Sequence, residues 1–328
     1  MNFSELLSII PDVYRNLICE AIENIDCNAE EKSGEFEPLI AGFSNAKIFK
    51  FKVDKKSYVL RILDKEKRVE KRTSELNAHT IAANLGISPK VHYINSESDP
   101  LVMIMDYIDG RSFSSDDLSD IEIIKNIMYS IKKFHNHSKG VVLKKTKFDS
   151  MNENYENAIK NGAVYPSEFN EMRKKLLQKY EELNHSILPS HGDLNIDNIL
   201  ITADKKVFLI DWAESKSDNP LMDIGWLSCL SGATIQQTTD LLEQYLLRTP
   251  TEIDVNKAMF FQNAARFYLA TYWIGKQKER DQKILDDLLE CPLKVDLSKK
   301  IIDLDDKSFT KASLSWFKEF KENQYLYN

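Results

Sequence analysis

The sequence predicts an α+β fold in two parts, a small antiparallel sheet followed by a larger and mainly helical region. Three observations predict it. Between residues 36 and 105, short β-prone runs alternate with turn signals. Beyond Asp106, apolar residues recur three and four apart over long stretches, the spacing of a buried helix face. Within that helical part lies one contrary stretch, Leu188 to Ala213, reading LPSHGDLNIDNILITADKKVFLIDWA, where two apolar runs flank a turn and polar residues crowd both ends.

Composition sets the outer limits. A chain of 328 residues that is 42% hydrophobic can bury the core of two lobes, and the boundary is expected near Asp106, giving residues 1–106 and 107–328. The 44 basic and 51 acidic residues leave a net charge of −7, which argues against a nucleic-acid partner and favours small cationic ligands. Cys19, Cys27, Cys229 and Cys291 show no metal-ligand spacing and read as reduced thiols of a cytoplasmic protein. The first 25 residues lack the basic start and unbroken apolar core of a signal peptide, and no run is long enough to insert in a membrane. Oligomeric state is left open.

Taken in order, the first 26 residues carry apolar positions at helical spacing, broken by Pro11, and predict a leading helix or helix pair. Strands follow at Phe36 to Leu39, Lys47 to Val53 and Tyr58 to Leu63, with Asp54-Lys55-Lys56 as a turn. Glu66 to Leu85 is the first long helix, stopped by Gly86 with Pro89 beyond. Strands His92 to Ile94 and Leu101 to Met105 complete a five-stranded sheet. Helices are expected at Asp120 to His137, Glu168 to Leu183, Leu241 to Leu247, Ala258 to Lys276 and Ser313 to Tyr327.

In the contrary stretch, Ile199 to Ile201 and Val207 to Ile210 form a hairpin about Thr202 to Lys206. Asp193 and Asn198 enter it and Asp211 leaves it. A hairpin brings its ends together, so one carboxylate could orient a hydroxyl while an amide and a second carboxylate hold a divalent metal. Such oxygen ligands suit Mg²⁺. The plainer alternative is a surface hairpin with polar ends.

HGDLNIDN followed by LIDW resembles the catalytic and metal-binding loops of the aminoglycoside phosphotransferase and choline/ethanolamine kinase superfamily, which has the protein-kinase-like fold. The resemblance spans roughly residues 36 to 277 and is strongest in these loops. It implies that Asp193 is the catalytic base, that Asn198 and Asp211 bind Mg²⁺, and that ATP is the phosphoryl donor lying between the lobes. Gly42, Phe43, Ser44 and Asn45 match the family's phosphate-covering loop, although GFSN is also a common turn. Arg61 stands where choline kinases place a phosphate-binding arginine, and Glu75 matches the helix acid that fixes it, with a solvated acid as the alternative. Met105, Asp106, Tyr107 and Ile108 match the hinge that holds adenine through backbone groups. Asp223, twelve residues after Asp211, is expected to cap a helix and brace the catalytic loop. Those twelve residues leave no space for a protein kinase's activation segment.

The resemblance further implies a hydroxyl of a small cationic alcohol as acceptor, most simply choline or ethanolamine, with Tyr272 and Trp273 as substrate residues beside Asp193; the acid Glu214 and the aromatic Trp226 are added from the charge and aromatic content of the same region. Aromatic faces attract quaternary amines through cation–π interaction; the competing view is that these rings are core. An aminoglycoside kinase and a nucleotide-binding pseudokinase are the other readings. Two departures stand out. The family's IDFEY is Ile210-Asp211-Trp212-Ala213-Glu214 here, which shifts the acid by one, and the acid expected two turns beyond Asp223 is Leu230.

Overall fold

The structure, a computed structural model, describes residues 36–39, 47–53, 56–63, 69–95, 102–137, 145–183, 186–275 and 306–323, with residues 5, 15, 19 and 20. The leading helix, the GFSN loop, Cys27 and Cys291 lie outside the described residues. The fold is α+β, as the sequence predicts. It divides into two compact units, one made of residues 1–111 and 200–213, the other of 112–199 and 214–328. No described helix is long and apolar enough to cross a membrane.

In the first unit, β1 (Glu37–Leu39), β2 (Lys47–Val53), β3 (Lys56–Ile62), β4 (Val91–Asn95) and β5 (Val102–Asp106) form an antiparallel sheet of order β1-β2-β3-β5-β4. Strand β3 starts at Lys56, inside the predicted turn, because its pairing with β2 continues to Val53. Alternation on these strands sends Leu63, Met103 and Met105 into a core closed by Leu76, with Ile48, Val59, Val91 and Ile94 packed around it. Leu76 comes from α1 (Val69–Asn84). That helix ends where Gly86 takes φ 69°, and the amides of Gly86 and Ile87 turn back to the carbonyls of Ala83 and Ala82. The glycine supplies the left-handed conformation that such a helix stop needs.

A three-stranded sheet of order β6-β8-β9 joins β6 (Gly110–Ser112), β8 (Ile199–Thr202) and β9 (Val207–Leu209). The β8–β9 turn is closed by Thr202 N–H to Lys206 O at 3.0 Å.

The second unit is built on α2 (Ile121–His137), α3 (Lys147–Lys160), α4 (Phe169–Glu182), α5 (Leu221–Leu230), α6 (Ile235–Leu246), α7 (Glu252–Ile274) and α8 (Asp306–Glu322). Helix α7 is its axis. From Ala258 to Ile274 nearly every side chain is buried, which explains a sequence that is apolar on all faces. Phe267 packs against Phe169 at 4.4 Å and Phe320 at 4.9 Å between ring centroids, tying α4 and α8 to the axis. Gly225 lets α5 approach α7 closely: a Cβ there would lie 2.5 Å from the Phe261 carbonyl carbon and 2.6 Å from the Gln262 nitrogen. A two-stranded clasp pairs β7 (Leu188–Ser190) with β10 (Lys216–Asp218), so the excursion carrying the polar motif begins and ends at one place.

Candidate active site

In the first unit, Arg61 is only 4% exposed and lies between two carboxylates. Its Nη2 is 2.7 Å from Glu75 Oε1 and 3.1 Å from Asp211 Oδ1. Burial alone would weaken its hold on the proton, but Asp211 and Glu75 outweigh burial and push its pKa up, so it stays charged. The Asp211 side chain remains 37% exposed beside this buried pair. Its backbone takes φ 59°, a left-handed conformation that Asp tolerates at a cost of about 1 kcal/mol.

The next residue fixes that geometry. Trp212, fully buried, donates its indole N–H to Ser88 Oγ at 2.9 Å, and Ser88 donates to Leu209 O at 2.6 Å. Met105 and Asp106 end β5, followed by Tyr107 and Ile108. Two N–H groups of that segment are committed within the unit, Asp106 to Lys90 O and Tyr107 to Ser57 O.

In the second unit, the loop after β7 is held from beneath. Asp223, 1% exposed, accepts the backbone N–H groups of His191 at 2.8 Å and Gly192 at 3.0 Å. His135 Nε2 also meets its Oδ2 at 3.1 Å, and His135 Nδ1 contacts Tyr245 Oη at 3.0 Å. Burial opposes ionisation of Asp223, but His135 and the loop's N–H groups overcome it and hold the pKa below the usual carboxylate range. The bracing role is therefore as expected, and the capping role is not. Asp223 lies inside α5, whose first turn has no side-chain cap from it, because its oxygens are taken by the loop and His135.

Gly192 has no alternative at its position, since φ is +79° and a Cβ would meet Glu214 O at 2.0 Å. One residue on, Asp193 receives three donors. Trp226 Nε1–H donates to Oδ1 at 3.0 Å, Asn195 Nδ2 to Oδ2 at 3.1 Å, and Asn198 Nδ2 to Oδ2 at 3.3 Å. Asn198 also donates to the Asp193 carbonyl at 2.8 Å, and Asn195 caps the short helical turn that carries Asn198. Asp193, Asn198 and Trp226 are thus brought into one hydrogen-bonded group, while Arg61, Glu75 and Asp211 form another.

Four aromatics run on from Asp193. Trp226 stands edge-on to Tyr268 at 5.2 Å, Tyr268 lies parallel to Tyr272 at 6.3 Å, and Tyr272 stands edge-on to the buried Trp273 at 5.5 Å. Burial pushes the Tyr268 hydroxyl up to about 12. Glu214 is paired with Lys216 Nζ at 2.9 Å. Two residues here are not assigned to a site by the sequence: Tyr268, one of many rings on its helix, and Lys147. Lys147 is 3% exposed and puts its Nζ 4.0 Å from the Trp226 ring centre and 4.7 Å from that of Tyr268, while donating to Gly192 O.

Residues 35–254 match the model of a family described as the phosphotransferase enzyme family, APH. The chain belongs to that family. Its fold is also that of solved kinases. A choline/ethanolamine kinase family protein from Mesorhizobium loti is 15% identical, with 94% of this chain and 96% of that one covered at a TM-score of 0.68. An ethanolamine kinase from Plasmodium vivax is 15% identical over 98% and 95%, at 0.68. The choline kinase LicA from Streptococcus pneumoniae is 17% identical over 94% and 97%, at 0.65, and LicA is also known in complex with AMP. Among curated proteins none matches in sequence. This member of the phosphotransferase family therefore keeps the fold of choline and ethanolamine kinases at low sequence identity.

Proposed function

We propose that this chain is an ATP-dependent kinase that phosphorylates a hydroxyl of a small cationic alcohol of the choline or ethanolamine class. The observation that carries the reading is Asp193: a carboxylate oriented by Trp226, Asn195 and Asn198, on a loop whose amides are anchored to buried Asp223. A general base must be held in one orientation with an oxygen free to take a proton, and three donors from different positions supply that orientation.

In this reading Asp193 accepts the proton of the acceptor hydroxyl as its oxygen bonds to the γ-phosphorus. The β–γ bridging bond of ATP breaks and ADP leaves. Arg61, kept charged by Glu75 and Asp211, binds phosphate oxygens. Asn198 and Asp211 are the residues that would hold Mg²⁺. The donor set fits, because both residues offer hard oxygens and Asp211 is exposed enough to reach a cation. Among the described residues no group of three or more His, Cys, Asp or Glu forms a ready cage, which suits an ion that takes other ligands from water and phosphate. When bound, Mg²⁺ neutralises charge that builds on the phosphates. With the amides of Asp106 and Tyr107 committed, adenine reading falls to carbonyls of the segment and the Ile108 amide. A pseudokinase is disfavoured because Asp193, Asn198 and Asp211 are all retained.

The test is a coupled ADP-release assay with choline, ethanolamine, other amino alcohols and aminoglycosides, run on wild type and Asp193→Asn. The variant should keep its fold and MgATP binding and lose at least about 10²-fold in kcat, the scale of a lost general base. Turnover within a few-fold of wild type would remove Asp193 from the role. Activity confined to aminoglycosides would reassign the acceptor.

A further inference from the structure

Lys147 is unusual as a buried lysine, because its ammonium is held by two aromatic faces and a carbonyl. Trp226 and Tyr268 meet at 78°, and Nζ sits over both rings, within the range of cation–π attraction for each. Two rings set at a right angle around an ammonium are the arrangement by which proteins recognise alkylammonium ligands. Here the chain supplies the ammonium itself. Gly192 O accepts from the same Nζ, and Trp226 turns its N–H to Asp193, so this filled corner adjoins the proposed base. The stem of Lys147 is fixed as well, since its backbone N–H donates to Asp218 Oδ2 at 2.6 Å at the start of α3, behind the Thr146 cap.

We propose that Lys147 is the specificity-determining residue of this enzyme, and that by occupying the Trp226–Tyr268 corner it restricts the acceptor to alcohols bearing a primary amine and refuses quaternary ammonium. This rests on the kinase reading above for the word acceptor, but the occupied corner stands without it. A quaternary ammonium has no N–H and depends on aromatic faces for recognition. A primary ammonium has three N–H donors and can be held by oxygens instead. With two faces taken by a fixed positive charge, a second cation meets like-charge repulsion there, and only oxygen recognition remains. Glu214 is the carboxylate for it. Its side chain is 37% exposed, and Lys216 pairs with it.

The experiment titrates tetramethylammonium chloride into nucleotide-free protein at constant ionic strength, followed by calorimetry and indole fluorescence. Wild type and Lys147→Arg should show no saturable binding. Lys147→Ala and Lys147→Met, shown folded by circular dichroism, should gain saturable binding with a Kd at least about tenfold below the highest concentration at which wild type shows none, the scale of a desolvated cation–π contact. Saturable binding by wild type that is lost in Trp226→Leu overturns the proposal whatever the lysine variants do, and so does a folded Lys147→Ala and Lys147→Met pair that gains nothing. In turnover, Lys147→Met should lower the ratio of the choline KM to the ethanolamine KM about tenfold, while kcat on ethanolamine moves less. An unchanged ratio overturns the specificity role. Absence of any phosphorylated alcohol would overturn the kinase reading and leave the binding arm intact.

Discussion

Replacing Asp223 by Asn keeps the shape of the side chain and removes one acceptor. The carboxylate serves three donors, with Oδ2 taking His191 N–H and His135 Nε2 and Oδ1 taking Gly192 N–H. An asparagine can put its oxygen on one side only. In the better orientation its NH₂ faces the Gly192 N–H and leaves a buried donor without an acceptor, at about 1–3 kcal/mol. The two surviving bonds fall from charge-assisted to neutral strength, at about 1 kcal/mol each. Relief of the buried charge offsets part of this loss, yet the lowered pKa of Asp223 says that its partners already outweigh burial. The net expectation is a loss of about 2–4 kcal/mol at pH 7, measured by urea unfolding followed through tryptophan fluorescence. The pH dependence supplies a second check. An acid with a depressed folded pKa contributes stability that is full above its unfolded value, near 3.9, and is lost as pH falls through the folded one. The gap between wild type and variant should therefore narrow below about pH 4. A gap under about 0.5 kcal/mol at pH 7, or one that stays constant down to pH 3, would refute the argument that Asp223 works as a buried anion.

Two further outcomes follow from the geometry. Arg61→Ala should raise the KM for ATP about tenfold or more with a smaller change for the alcohol, and should cost about 3–5 kcal/mol because it breaks the buried ion pair with Glu75; steady-state kinetics beside a urea titration reads both, and equal shifts in the two KM values would count against a phosphate role. Gly225→Ala gains about 1 kcal/mol of helix propensity but forces a methyl onto the backbone of Phe261 and Gln262, so a net loss of about 2 kcal/mol or more is expected, and a neutral result in chemical denaturation would contradict the close approach of α5 and α7.

The sheet was legible because Lys47 to Val53 and Leu101 to Met105 are β-prone runs between turns, and the first long helix because Gly86 and Pro89 punctuate its end. The β8–β9 hairpin was legible for the same reason. The β7–β10 clasp was not, since Leu-Pro-Ser and Lys-Ser-Asp carry no strand signal and pair because the two ends of the excursion lie together. Helix α3 was not legible either, because its reciprocal cap, Thr146 with Asp149, has Asp in place of the usual Glu. The polar set of the Leu188 to Ala213 stretch could be listed from the sequence, but the donors on Asp193 could not, because Trp226 lies 33 residues away and reaches it only through the packing of α5. Lys147 was illegible for a simpler reason. In Lys-Lys-Thr-Lys-Phe nothing distinguishes Lys147, which points at two aromatic rings, from the exposed Lys145, and only tertiary packing sorts them.

The bonds from Trp212 to Ser88 to Leu209 have a direction, and that direction links two distant positions in inheritance. An indole can only donate, so the Ser88 hydroxyl must receive it and must spend its own hydrogen on Leu209. Neither position can drift alone: alanine at 88 strands the indole, and phenylalanine at 212 removes the donor that the hydroxyl answers. A relative that reads phenylalanine at the position of Trp212 is released from any demand for a hydroxyl at the position of Ser88. Those that keep tryptophan should keep serine or threonine with it, so the two sites are expected to change together when sequences of this family are compared.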